Sequence, residues 1–156
     1  MALTHQGGVL SICATAQSPT LNQAAFEALT FVEVPGVVTA PSFRIEQNTL
    51  TQNTLGDDIA QIQGGFRTGQ TTDNTIAFRE ITDPGIAAME AAASSANLYA
   101  LKYELNNSGG SNGTTYYALC FVAGGGGPEG GGGEDFANRV YSLTPSHQAP
   151  IEVAAA

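Results

Sequence analysis

The sequence predicts a mainly β domain, a β-sandwich or barrel with one flanking α-helix. Three observations carry this. Segments such as "SFRIE" (42–46) and "YALKYEL" (99–105) alternate apolar and polar side chains with the period of two that a half-buried sheet requires. Only 83–95 combines a full helical spacing with a helix start signal. The glycine-rich run 124–135 is followed by too few residues to bury a core of their own, so it is a loop within one domain spanning 1–156.

Residues 1–20 are Gly, Ser, Thr, Gln and Pro with little periodicity and predict an extended N-terminal arm. The domain proper runs from 21 to 145. A short helical turn, with Leu21, Ala24, Ala25 and Ala28 on one face, leads into a strand over "LTFVEV" (29–34). After Pro41, Phe43 and Ile45 point one way while Arg44 and Glu46 point the other. The next residues, Asn48, Thr49, Leu50, Thr51, Gln52, Asn53, Thr54, Leu55, Gly56, Asp57 and Asp58, are too polar for a core and too many for a tight hairpin, so 48–58 predicts a long polar loop. Extended structure resumes over 59–81, with a bulge or bend at Gly64–Gly65 and with Ile76 and Phe78 buried.

At Asp83 the period changes. Asp83 suits an N-cap and Pro84 the first helical position, and Ile86, Met89 and Ala93 follow at helical spacing, predicting a helix over about 84–95 that packs on the sheet. Tyr99, Leu101, Tyr103 and Leu105 then alternate with Ala100, Lys102 and Glu104, and a flexible connection, "NNSGGSNG", follows. "TTYYALCFVAG" (114–124), with Leu119 and Phe121, is apolar on both faces, so both are covered, one by the core and the other by a neighbouring subunit. "ANRVYSLTP" (137–145) is the last strand, and 146–156 a C-terminal tail. Ordering all twelve residues of 124–135 costs roughly 12–24 kcal/mol of backbone entropy, while leaving them loose costs about 1 kcal/mol more than a four-residue loop, so a mobile loop is expected.

Composition excludes several functions. The chain has 14 acidic and five basic residues, a formal charge of −9, and its basic residues (Arg44, Arg67, Arg79, Lys102, Arg139) are dispersed. Gripping nucleic acid takes clustered Lys and Arg to displace counterions, so specific DNA binding is not expected. Cys13 and Cys120 are too few and too far apart for a disulfide scaffold or a zinc site and read as buried, reduced thiols. No basic leader and no membrane-length apolar run is present, which predicts a protein made and kept in a cytoplasm.

No catalytic constellation emerges. His5 lies in the arm and His147 in the tail, so no general base sits where a scaffold would hold it. Asp57–Asp58 and Glu134–Asp135 are each either a weak cation site or a plain loop end. The glycine run lacks the Lys-Ser/Thr ending of a phosphate-binding loop, and Ser94 and Ser95 have no base in a known motif. Tyr116 and Tyr117 could stack a base but suit a strand core or interface. The expectation is a protein without enzymatic activity, metal or cofactor.

In sum, the order of elements resembles the major tail tube proteins of long-tailed, siphovirus-type bacteriophages. "LNQAAFEALTFVEVPGV" is similar to the family's opening; "APSFRIEQNTL" with "TQNTLGDD" to its strand and long stacking loop; "ITDPGIAAMEAAASSANLYALKYEL" to its helix-then-strand centre; and "GEDFANRVYSL" to its closing strand. The resemblance covers about 20–145, with the glycine-rich loop as a departure. It implies a structural subunit whose hexameric rings stack into a hollow tube around a tape measure protein, meet tail terminator and distal tail or baseplate proteins, and conduct DNA without binding it specifically. It further implies assembly in the host cytoplasm, a place in the virion tail and no membrane. By the resemblance, 48–58 contacts an adjacent ring, the arm and tail reach neighbouring subunits, and the glycine loop lies outside.

Candidates for the channel wall are the polar strand faces bearing Glu46, Gln61, Gln63 and Arg139; Glu46 and Arg44 could instead pair across a subunit interface. Basic side chains on such a wall would hold a polyanion, whereas a neutral or acidic wall lets it slide. The sheet margins, otherwise open to any passing chain, are expected to close on neighbouring copies. Two alternatives stay open: the inner-tube protein of a contractile injection or secretion system, and a monomeric β-sandwich binding a ligand or cation through Asp57 and Asp58.

Overall fold

The computed structural model describes residues 4–56, 58–77, 82–106, 113–125, 127–134, 136–146 and 148–154, without the side chains of 4–6 and 106. Phe78, Arg79, Asp57, Asp135, His147, the His5 side chain and most of the 106–113 connection lie outside the described residues. Among those described, the strands are β1 (Thr4–Ile12), β2 (Val32–Val34), β3 (Ile45–Gln52), β4 (Gln61–Gly69), β5 (Thr72–Ala77), β6 (Tyr99–Asn106), β7 (Thr115–Gly124), β8 (Asn138–Pro145) and β9 (Ile151–Val153). The helices are α1 (Gln23–Glu27) and α2 (Pro84–Ala93).

The expected N-terminal arm is instead an interior strand. β1 lies between β2 and β6 in an antiparallel sheet ordered β2-β1-β6-β7-β8-β5, and Leu10 and Ile12 are fully buried. Both faces of Val9–Cys13 are covered, Leu10 and Ile12 by the main core and Cys13 by a second cluster, which leaves no apolar–polar alternation to read. The irregularity that hides the first half of the strand is a bulge between Thr4 and Val9, where Gly7 takes a left-handed φ of 78°.

The sheet curls until its ends meet. Val37 bridges Ile76 in antiparallel fashion; the Val38 N–H donates to the Thr75 carbonyl (2.8 Å) and the Ala77 N–H to the Gly36 carbonyl (2.7 Å). The segment leaving β2 thus lies along β5, and the chain satisfies this margin itself instead of leaving it to a neighbour. On the concave face Leu10, Ile12, Val34, Ile76, Leu101, Tyr103, Cys120, Tyr141 and Leu143 form the main core with Ile86, Met89 and Ala92 of α2. Phe43 is half-buried against it, and Ile45 is half-buried where β3 begins.

α2 starts at the N-cap Asp83, whose side chain makes no capping bond; Pro84 pre-sets the first turn. Its contact with β2 is backbone on backbone. A Cβ on Gly85 would lie 2.1 Å from the Glu33 carbonyl oxygen and 2.9 Å from the Val34 Cα, so only glycine lets the helix settle there. Gly85→Ala is expected to cost at least about 1–3 kcal/mol, through displacement of α2. Thermal denaturation checks this, and an unchanged midpoint would mean that helix and strand are not in contact.

Much of the convex face is covered within the chain itself. Asn22 Oδ1 caps α1 by accepting from the Ala25 N–H (2.8 Å), and α1 buries Phe26 against Tyr117, ring centroids 5.4 Å apart. Ala100, Leu119 and Cys13 complete this second cluster, flanked by Leu29, Phe31, Ile151 and Val153. The expected tail supplies part of that cover. β9 pairs with β7 alongside the end of β8, and Gln148 clamps Leu21, accepting from its N–H (2.8 Å) and donating to its carbonyl. Phe121, expected in the core, is 45% exposed: it shares the convex face with Tyr117 and Leu119 but lies beyond the reach of α1 and β9.

Burial raises the pKa of Tyr103, Tyr117, Tyr141 and the Cys120 thiol above their ordinary values; that of the Tyr141 hydroxyl is raised further by its hydrogen bond to Glu90. Native-state values above the unfolded ones mean that this stability is complete below the unfolded pKa values and is lost as pH rises through them. The melting temperature is therefore expected to hold to about pH 8, to begin falling near pH 9 as the unfolded Cys120 thiol ionises, and to fall further beyond about pH 10, where the unfolded tyrosines follow. A flat profile to pH 11 would show these groups to be solvated.

Candidate assembly surface

Two strands stand apart from the sheet. β3 and β4 pair only with each other, and from Glu46 to Thr68 no described residue is buried. The expected loop 48–58 is therefore half strand: Asn48, Thr49, Leu50, Thr51 and Gln52 complete β3, and the connection is only 53–60, with Asn53, Thr54, Leu55, Gly56 and Asp58 described. A strand buried on neither face needs no apolar alternation, which is why it reads as a loop. Gly56 turns the connection with a φ of 102°. The bulge expected at Gly64–Gly65 is present, since Gln47 pairs with Arg67 but Thr49 with Gly64, which gives β4 one extra residue.

The base of the hairpin is held firmly. The Gln70 N–H donates to the Arg44 carbonyl (2.8 Å), Thr72 Oγ1 to the Ser42 carbonyl (2.9 Å), and the Thr71 and Thr144 hydroxyls lie 2.7 Å apart. Gly69 abuts β8 so closely that a Cβ would fall 1.9 Å from the Pro145 carbonyl oxygen. Beyond this base no described residue of the hairpin is buried.

Leu50, Leu55, Ile59, Ile62 (71% exposed) and Phe66 (88% exposed) are five of the eight large apolar residues exposed among those described. Concentrated on one element, they leave much of its apolar surface uncovered, and among the described residues the outer edges of β3 and β4 pair with no other strand. Ile59, Ile62 and Phe66 went unsingled in the sequence, although "IAQIQGGFRTG" contains three large apolar residues with no matching partners.

No known family model matches this chain, and no curated protein matches it significantly.

The register brings three of the four channel-wall candidates together. Gln52 pairs with Gln61 and Leu50 with Gln63, so Glu46, Gln61 and Gln63 share one face of the hairpin, in company with Leu50. Arg44 pairs with Glu46 within the chain (3.3 Å), and both are exposed. Arg67, opposite Gln47, lies on the other face. Arg139 does not belong to this set. On β8 the inward residues are Arg139, Tyr141 and Leu143, and Arg139 is buried with Nη1 2.7 Å from Glu90 Oε1; the Tyr141 hydroxyl donates to the same oxygen (2.7 Å). The signal was available: Arg139 shares its parity with two large apolar residues, and Glu90 is the sole acid of α2.

The glycine-rich run also departs from a free twelve-residue loop. Gly124 ends β7 and Gly125 donates to the Val140 carbonyl (2.8 Å), both with left-handed φ, and Glu129 and Asn138 exchange two backbone bonds of 2.7 Å. These contacts anchor both ends and shorten the free segment. Among the described residues no group of three or more His, Cys, Asp or Glu could hold a metal, and no helix is long and apolar enough to cross a membrane.

Proposed function

We propose that this chain is a structural subunit that assembles with its own copies through the β3–β4 hairpin, forming the rings of a phage tail tube. The observation that carries the reading is an uncovered two-stranded hairpin, with two open edges and exposed apolar side chains, on a rigid base. A lone hairpin is marginal in water and gains stability from further strands. Joining β3 of one copy to β4 of the next satisfies both edges with a single repeated contact, a head-to-tail geometry that closes into a ring or continues as a filament.

The tube reading adds the resemblance in element order and the charge of one hairpin face. If Glu46, Gln61 and Gln63 line the bore, its wall carries no unpaired cation on that face, because Arg44 is paired to Glu46. Duplex DNA, with about one charge per 1.7 Å, then finds nothing to displace its counterions. Charges on the outer body lie beyond the screening length of about 8 Å and act little on the bore.

Negative-stain microscopy and sedimentation of the purified protein test this. Rings or tubes are expected; a monomer at high concentration would remove the assembly reading, and rings too narrow to admit a duplex would remove the tube.

A further inference from the structure

We propose that an apolar pocket at the base of the hairpin receives the hairpin tip of a second copy of this chain. This rests on the self-assembly reading above and adds the contact that seats one copy on the next. The pocket, about 240 Å³, is lined by Pro41 and Phe43 just before β3, Tyr103 and Leu105 on β6, and Tyr116 on β7. It is smaller than the roughly 300 Å³ at which small-molecule sites begin, and it holds no charged side chain, so it suits aliphatic side chains better than a metabolite.

The tip offers such side chains. Leu55 and Ile59 flank the turn at Gly56, and both are almost wholly exposed. The chain's own tip cannot fill the pocket: eight residues of β3 at about 3.3 Å each put the tip roughly 25 Å from the base. Leu50 shares the hairpin face of Glu46, Gln61 and Gln63 and Ile62 lies on the other, so Leu55 and Ile59 at the tip are the exposed apolar side chains of the hairpin placed to enter a pocket end-on.

Charge favours a second copy as the occupant. Residues 44–69 hold two of the five basic residues against three of the fourteen acidic ones, so the hairpin is nearly neutral while the body carries most of the −9. It is the part of one copy that approaches another acidic copy with least repulsion. Tip and pocket lie at opposite ends of one element, so the contact repeats from copy to copy in one direction.

The test uses introduced cysteines, since Cys13 and Cys120 are both buried. Leu55→Cys protein is mixed with Leu105→Cys protein, and separately with Tyr116→Cys protein, and each mixture is treated with a short bis-maleimide. Two pocket positions guard against one substitution disturbing the fold. At least tenfold more cross-linked dimer is expected than from Leu55→Cys mixed with Gly133→Cys, a position in open space. Yields equal to that control at both pocket positions overturn the docking. Sedimentation of the unsubstituted protein separates the two ideas: assembly without the cross-link leaves self-association standing and removes only this contact, whereas a monomer without the cross-link removes both.

Discussion

Glu90→Ala is expected to lower unfolding free energy by about 3–5 kcal/mol, because it takes from the buried Arg139 a carboxylate at 2.7 Å and from the Tyr141 hydroxyl its acceptor. The loss follows from where the pair sits. The Arg139 side chain is 9% exposed and that of Glu90 19%, so water cannot take over the role of the missing partner. Glu90→Gln keeps an acceptor for the hydroxyl but removes the charge and should fall between wild type and Ala, and Tyr141→Phe should cost about 1 kcal/mol. Urea unfolding with an unchanged m-value reads these differences as stability. A loss below 1 kcal/mol for Glu90→Ala would place Arg139 in solvent and restore it as a candidate for the channel wall.

The combined substitution Leu50→Asp, Ile62→Asp and Phe66→Asp is expected to abolish self-association while leaving the fold within about 0.5 kcal/mol per site, since all three side chains are exposed. Hairpins joined edge to edge would bring these carboxylates side by side from copy to copy, and like charges facing each other across paired strands are destabilising. Sedimentation velocity on folded variant and wild type compares the two directly. An oligomer of the same size and stability in the variant would mean that the hairpin is not the assembly surface. Loss of cooperative melting would mean that these side chains serve the fold.

The parts of the fold legible in the sequence are those whose signal is local. α2 was readable from Asp83, Pro84 and the spacing of Ile86 and Met89, and β6 from the alternation of Tyr99, Leu101 and Tyr103, all of them buried. β1 was not. One of its faces packs on the main core under α2, the other joins the cluster around Phe26, and its first half is bulged at Gly7. The hairpin was half legible: Glu46, Gln61 and Gln63 were singled out and share a face, but β3 read as a loop because, past Ile45, it is exposed on both faces.

The sequence by itself determined the class: a mainly β chain with one substantial helix, an acidic charge and dispersed cations. Periodicity and charge are properties of neighbouring residues and survive without knowledge of contacts. Only the tertiary structure decided that the first strand lies inside the sheet, that α1 and β9 roof the convex face, that Arg139 turns inward to Glu90, and that the β3–β4 hairpin is left bare. Each of these depends on which distant segment covers a given face, and alternation along one strand says which side chains share a face but not what lies against it.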